Sequence, residues 1–154
     1  MTEAEHAGDP AHPDHEQWLL ALGRASYAAQ GLAEIAVDVL RTHCNLDFWQ
    51  LLPDTLGALI KRLHRQGGQP TPLPGLTMWL LELEAALVVR NDILHALPVK
   101  HGLHRRTANN QARVVNFYDV QDLATATATL SAATRSGNKI LYHDGGVAVA
   151  KAQA

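Results

Sequence analysis

The sequence is poor in residues that would stabilise a protein by anything other than a packed core. It has one cysteine, Cys44, in 154 residues. An internal disulfide and a zinc site built on several thiolates are therefore excluded. Aromatic residues make up only 5% of the chain, whereas Ala and Leu are abundant, which favours helices packed through small and aliphatic side chains. A chain of this length can bury a sizeable core without a disulfide or a structural metal.

The sequence also lacks a long uninterrupted apolar run. The longest apolar stretch, around residues 76–89, contains Glu82 and Glu84, so it is too short and too charged to cross a bilayer. The N-terminus is acidic and has none of the apolar character of a signal peptide. Because a single cysteine also suits a reducing compartment, we expect a cytoplasmic protein that does not enter a membrane.

Charge is unevenly distributed, although the formal net charge is only −2. Residues 1–17 contain five acids and no Lys or Arg. Residues 99–113 contain no acid and four cations, namely Lys100, Arg105, Arg106 and Arg113. This basic segment is compatible with an anionic partner, but the total charge does not demand one.

Apolar side chains recur at alternating spacings of three and four residues, which is the pattern of amphipathic helices. We expect helices at about residues 14–44, 53–66, 76–97 and 119–142. The turn residues Asn109-Asn110 and the strand-favouring residues 114–117 that follow them predict a short hairpin or ordered loop before the last helix. The predicted fold class is all-α, an up-and-down four-helix bundle over residues 14–142. We expect residues 1–13 to be a disordered acidic tail and residues 143–154 a flexible tail.

The third predicted helix carries one residue that interrupts its apolar face. Arg90 occupies a position in a row that otherwise contains only leucine. The row consists of Leu76, Leu80, Leu83, Leu87, Arg90, Leu94 and Leu97. A cation at such a position costs free energy unless its charge is paired or hydrated. Two structural explanations are open, an ion pair with Glu34 or Asp38 of a neighbouring helix and a side chain that reaches solvent near the helix end.

Two other polar residues accompany Arg90. Asn91 follows it directly, and His95 lies four residues after Asn91 and therefore on the same helix face. Together the three side chains supply a fixed cation, an orienting amide and a proton carrier, a set suited to metal-free chemistry at a phosphate ester. We therefore interpret residues 90–95 as the functional site.

The hexapeptide Arg90-Asn91-Asp92-Ile93-Leu94-His95 resembles the Arg-x(4–6)-His motif of the HEPN superfamily, which ends the penultimate core helix and often has a polar residue after the arginine. Residues 15–142 resemble the family in architecture. The resemblance implies a metal-independent endoribonuclease without a cofactor, often a homodimer, with Arg90, Asn91 and His95 as catalytic residues. In such an enzyme the ribose 2′-OH attacks phosphorus, His95 moves a proton and Arg90 stabilises the negative charge.

The same resemblance implies that Lys100, Arg105, Arg106 and Arg113 hold the RNA backbone, with a solvated loop as the competing interpretation. Members of the family include toxins of toxin–antitoxin pairs and phage-defence effectors, so an antitoxin protein is a further expected partner. The alternative function is a non-catalytic HEPN-like helical dimer that serves as an interaction or RNA-binding module. A metal site formed by His95, His101 and His104 is a weaker interpretation, because His101 and His104 lie in a predicted loop that contains no carboxylate.

Overall fold

The structure, a computed structural model, describes residues 9–71, 73–95, 97–99, 102–106, 112–115 and 119–142, and it describes the strand segments at the level of the backbone. These residues form five helices: α1 (His15–Cys44), α2 (Phe48–Leu51), α3 (Leu56–Gly67), α4 (Leu76–His95) and α5 (Val120–Leu141). Three strands lie between α4 and α5: β1 (Leu97–Val99), β2 (Gly102–Arg106) and β3 (Ala112–Val115). The predicted all-α helical bundle with a hairpin before the last helix is confirmed. Of the two predicted tails, residues 1–8 and residues 143–154 lie outside the described residues.

Capping interactions explain where two of the helices begin. The Thr55 hydroxyl accepts a hydrogen bond from the Ala58 N–H at 3.3 Å and starts α3. At α5, Asp119 Oδ1 accepts from the Asp122 N–H at 2.7 Å, and Asp122 Oδ2 accepts from the Asp119 N–H at 3.3 Å. This reciprocal pair is a capping box in which both partners are Asp. It fixes the start of a helix whose many threonines have low helix propensity.

The boundaries differ from the predicted ones in two places that have clear causes. Residues 48–51 form a short helix where a turn is predicted, because Asp47 caps it by accepting from the Trp49 N–H. α4 ends at His95, whereas the prediction extends it to residue 97. Pro98 disfavours the helical conformation at Leu97, which instead pairs with His104 in an antiparallel ladder.

The helices and strands divide into two compact units. Unit 1 comprises Met1–Ala29 and Val88–Leu130, and unit 2 comprises Gln30–Leu87 and Ser131–Ala154. Within the described residues, the apolar core of unit 1 contains Trp18, Ala21, Ala25, Ala29, Ile93, Leu123, Ala126 and Leu130. No helix in the described part of the chain has the length and apolar character that a membrane crossing requires.

In unit 2, Trp79 of α4 is buried and packs tightly against α5. The indole Nε1 of Trp79 donates a hydrogen bond to the carbonyl oxygen of Ala133 in α5 at 2.8 Å. A Cβ atom added to Gly137 would lie 2.6 Å from Cζ2 of Trp79 and 2.7 Å from Cγ1 of Ile35. The position therefore requires glycine, because any side chain would collide with this pair.

Candidate functional site

The last two turns of α4 carry the predicted site, and all of its residues belong to unit 1. Arg90 and Asn91 are half-buried, whereas His95 is exposed and is the last residue of the helix. The residue before Arg90 in the leucine row, Leu87, is half-buried as well. The helix thus places a cation and an amide at the edge of its covered face and an accessible imidazole at its end.

Arg90 and Asn91 contact each other directly. Nη1 of Arg90 donates a hydrogen bond to Oδ1 of Asn91 at 3.1 Å. Because Oδ1 accepts from the guanidinium, the other end of the Asn91 amide, the NH₂ group, remains as a donor. The two side chains therefore both offer N–H donors, as an anion-binding pair requires.

The charge of Arg90 has no carboxylate partner among the described residues. No Asp or Glu oxygen in that part of the chain lies within 4.0 Å of its guanidinium. Asp38, one of the two predicted partners, instead lies 4.0 Å from Arg41 of its own helix. Burial lowers the pKa of Arg90 from its ordinary value, because desolvation disfavours the charged form.

One atom of Arg90 is fully buried. Nε is inaccessible to solvent and has no hydrogen-bond partner among the described residues. Since the side chain as a whole is only half-buried, its exposure comes from other atoms. This agrees with the second structural explanation, in which the side chain reaches solvent. Leaving a buried donor unsatisfied costs about 1–3 kcal/mol, so the arrangement does not favour stability.

Sequence analysis missed one buried polar residue of the hexapeptide. Asp92 is only 5% exposed and is the one buried charged residue in the described part of the chain. It lies two residues from Arg90, so the leucine row places it away from the predicted apolar face. The apolar periodicity of the sequence identifies only the residues on the apolar face, so it does not indicate that Asp92 is buried. The one signal in the sequence is that Asp92 stands inside the motif, between Asn91 and Ile93.

Three of the four predicted RNA-binding cations lie in the antiparallel pair β2 and β3. The register places Arg105 directly opposite Arg113 and Arg106 opposite Ala112. Lys100 lies outside the described residues. The fold therefore brings the backbone positions of Arg105 and Arg113 together, although they are eight residues apart in the sequence.

The weaker metal-site interpretation gains no support within the described residues, where no group of three or more His, Cys, Asp or Glu side chains is placed to hold a metal ion. Of its three histidines, His101 lies outside the described residues, and the side chain of His104 is not among those described. Comparisons of the chain with protein-family models, with curated proteins and with solved structures find no match. The interpretation of residues 90–95 therefore depends on the chain's own chemistry.

Proposed function

We propose that this chain is a metal-independent endoribonuclease of the HEPN type, with Arg90, Asn91 and His95 as its catalytic residues. The observation that carries the proposal is the state of Arg90. Its side chain is half-buried. Its guanidinium has no carboxylate partner among the described residues and donates a hydrogen bond to the Asn91 amide oxygen at 3.1 Å. A desolvated cation with a neighbouring amide donor is suited to a phosphate group, which would supply the missing negative charge.

The resemblance to the HEPN motif implies the reaction, and the three side chains have the chemistry that it requires. Arg90 and Asn91 donate hydrogen bonds to the non-bridging oxygens of one phosphodiester and stabilise the charge that grows there in the transition state. The ribose 2′-OH attacks phosphorus, the bond to the 5′-oxygen breaks, and the products are a 2′,3′-cyclic phosphate and a free 5′-OH. His95 takes the proton of the 2′-OH or gives one to the leaving 5′-oxygen. DNA lacks the attacking hydroxyl, so it is not a substrate.

The partners belong to the same proposal. Two copies of the chain form a homodimer, and each contributes one motif to the RNA-cleaving site. Arg105, Arg106 and Arg113, on the paired strands β2 and β3, together with Lys100, contact the RNA backbone. The enzyme acts in the cytoplasm as a toxin or a defence effector, and an antitoxin protein holds it inactive.

Cleavage assays with purified protein test this proposal. We expect the wild type to cut single-stranded RNA in the presence of EDTA, to leave matched DNA and 2′-O-methyl RNA intact, and to yield cyclic phosphate ends. His95→Ala should abolish cleavage. His64→Ala is the matched control, because His64 is also an exposed helical histidine but lies in unit 2. Loss of wild-type cleavage in EDTA, or persistence of cleavage in His95→Ala, would contradict the proposal.

The same assays also test the alternative function. A non-catalytic helical dimer that acts as an RNA-binding or interaction module would leave every RNA intact at high enzyme concentration. In that case His95→Ala would bind RNA as the wild type does. A gel-shift measurement with the same RNA, run beside the cleavage assay, separates the two functions.

A further inference from the structure

Unit 2 contains a pocket where the start of α4 meets the end of α5. Its volume is about 230 Å³. Pockets for drug-sized ligands typically exceed about 300 Å³, so the size points to a smaller molecule. The lining residues are Pro74, Gly75, Met78, Trp79, Glu82, Ser136, Lys139 and Ile140.

The floor of this pocket is apolar and rigidly held. Trp79 and Ile140 are both buried core residues, and Trp79 is fixed by its hydrogen bond to the Ala133 carbonyl. The adjoining loop closes one side at Gly75, whose φ of 78° is a conformation that favours glycine. Because Trp79 and Ile140 are almost fully covered, most of the apolar surface open to a ligand belongs to Met78, which is 65% exposed.

The rim of the pocket carries one charge of each sign. Glu82 extends from α4, and Lys139 and Ser136 extend from α5. Among the described residues neither Glu82 nor Lys139 has an ion-pair partner, and both are exposed. The rim therefore offers one carboxylate, one ammonium and one hydroxyl that are free to bind a ligand.

We propose that this pocket binds a free α-amino acid with an apolar side chain. The ligand's ammonium pairs with Glu82, and its carboxylate pairs with Lys139 and accepts a hydrogen bond from Ser136. Its side chain packs on Met78 and against the small exposed edges of Trp79 and Ile140. A zwitterion has one charge of each sign and no net charge, as the rim does, so it satisfies both groups at once. The proposal is independent of RNA cleavage, because no residue of the motif lines the pocket.

Isothermal titration calorimetry of the full chain tests this inference with L-leucine as the probe. We expect saturable binding of L-leucine and none of N-acetyl-L-leucine amide, which has the same side chain but no charges. Glu82→Gln and Lys139→Met should each weaken L-leucine binding by roughly two- to fivefold. Glu34→Gln and Lys61→Met are the matched controls, because they remove the same charges from exposed helical positions of unit 2 outside the pocket.

Each of the following titration results would overturn the proposal. Equal binding of L-leucine and its capped amide would show a plain apolar pocket, for example one that takes a partner's side chain, and would overturn the amino-acid assignment. Absence of saturable binding up to 10 mM L-leucine, a concentration that corresponds to a binding free energy of about 2.7 kcal/mol, would overturn it as well. Equal weakening in the pocket variants and the control variants would show non-specific charge effects. Far-UV circular dichroism of each variant confirms that the helices are retained.

Discussion

Arg90 donates a hydrogen bond from Nη1 to Oδ1 of Asn91 at 3.1 Å, so these two consecutive residues of α4 form one polar pair. The contact fixes the direction of the Asn91 amide and leaves its NH₂ group as a donor. It does not neutralise the guanidinium, because an amide oxygen carries no net charge. The pair therefore remains cationic, and this property distinguishes a site for an anion from a buried ion pair that fixes the packing of helices.

Asn91→Asp tests whether that cationic character matters. The carboxylate keeps the acceptor for Arg90 but replaces the NH₂ donor with a negative charge, which repels a phosphate. We expect the kcat/KM for RNA cleavage to fall by about 100-fold or more, while the free energy of unfolding stays within about 1 kcal/mol of the wild type. Steady-state kinetics and urea unfolding measure the two quantities. Wild-type cleavage by Asn91→Asp would exclude Asn91 as a phosphate donor.

The packing around Trp79 gives a prediction on stability alone. Gly137→Ala would place a methyl group 2.6 Å from Trp79 Cζ2, so the core must shift. We expect a loss of about 1–3 kcal/mol in the free energy of unfolding. Gly23→Ala is the control, because nothing lies within 4 Å of the added methyl group. That variant should gain up to about 1 kcal/mol from helix propensity. Equal effects of the two substitutions in urea unfolding would contradict this account of Gly137.

Cys44 gives a prediction on pH dependence. Desolvation raises the pKa of its thiol above the ordinary value of 9.0, so the folded state binds its proton more tightly than the unfolded state does. Its contribution to stability is therefore fully present below the unfolded-state pKa and is lost as the pH rises through the higher folded-state pKa. We expect the difference in stability between the wild type and Cys44→Ala to shrink or reverse above about pH 9. Urea unfolding of both proteins at pH 7 and pH 10 measures it, and a constant difference would contradict the prediction.

The paired strands β2 and β3 give a prediction on RNA affinity. The register sets Arg105 opposite Arg113, and each phosphate contact that is lost reduces the slope of log affinity against log salt by about 0.7–0.9. We expect the double variant Arg105→Ala, Arg113→Ala to bind RNA more weakly and with a salt slope smaller by up to about 2. Arg65→Ala, an exposed arginine of α3, should change neither. Unchanged slopes in all three proteins would show that these arginines do not touch RNA.

Apolar periodicity predicted most of the fold, because α1, α3 and α5 are amphipathic, while the apolar character of α4 extends around most of the helix. α1 begins one residue after the predicted cap, Asp14, and ends at Cys44 as expected. The four-residue helix α2 is too short to show a period, so the sequence indicates only a turn there. The strand β1 contains Pro98, which does not favour a strand. It pairs with β2 because the chain folds back beside it, and no local sequence pattern indicates this pairing.

The candidate site was only partly predictable. The leucine row located Arg90, and the spacing of Asn91 and His95 placed both at the end of the helix, because these features follow from helical geometry. The burial of Asp92 did not follow from the pattern, because it depends on what packs against the other side of α4. Neither did the contact between Arg90 and Asn91, since adjacent residues on a helix do not usually face each other.

The central claim is that Arg90 lies on the covered face of α4 for function and not for stability. Urea unfolding of Arg90→Met tests it most directly, because methionine keeps a similar length and removes the desolvated charge together with the unsatisfied Nε donor. We predict a free energy of unfolding equal to that of the wild type or higher by up to about 2 kcal/mol. If Arg90 instead belongs to a buried ion pair, its removal should cost about 3–5 kcal/mol, and a loss of that size would contradict the account.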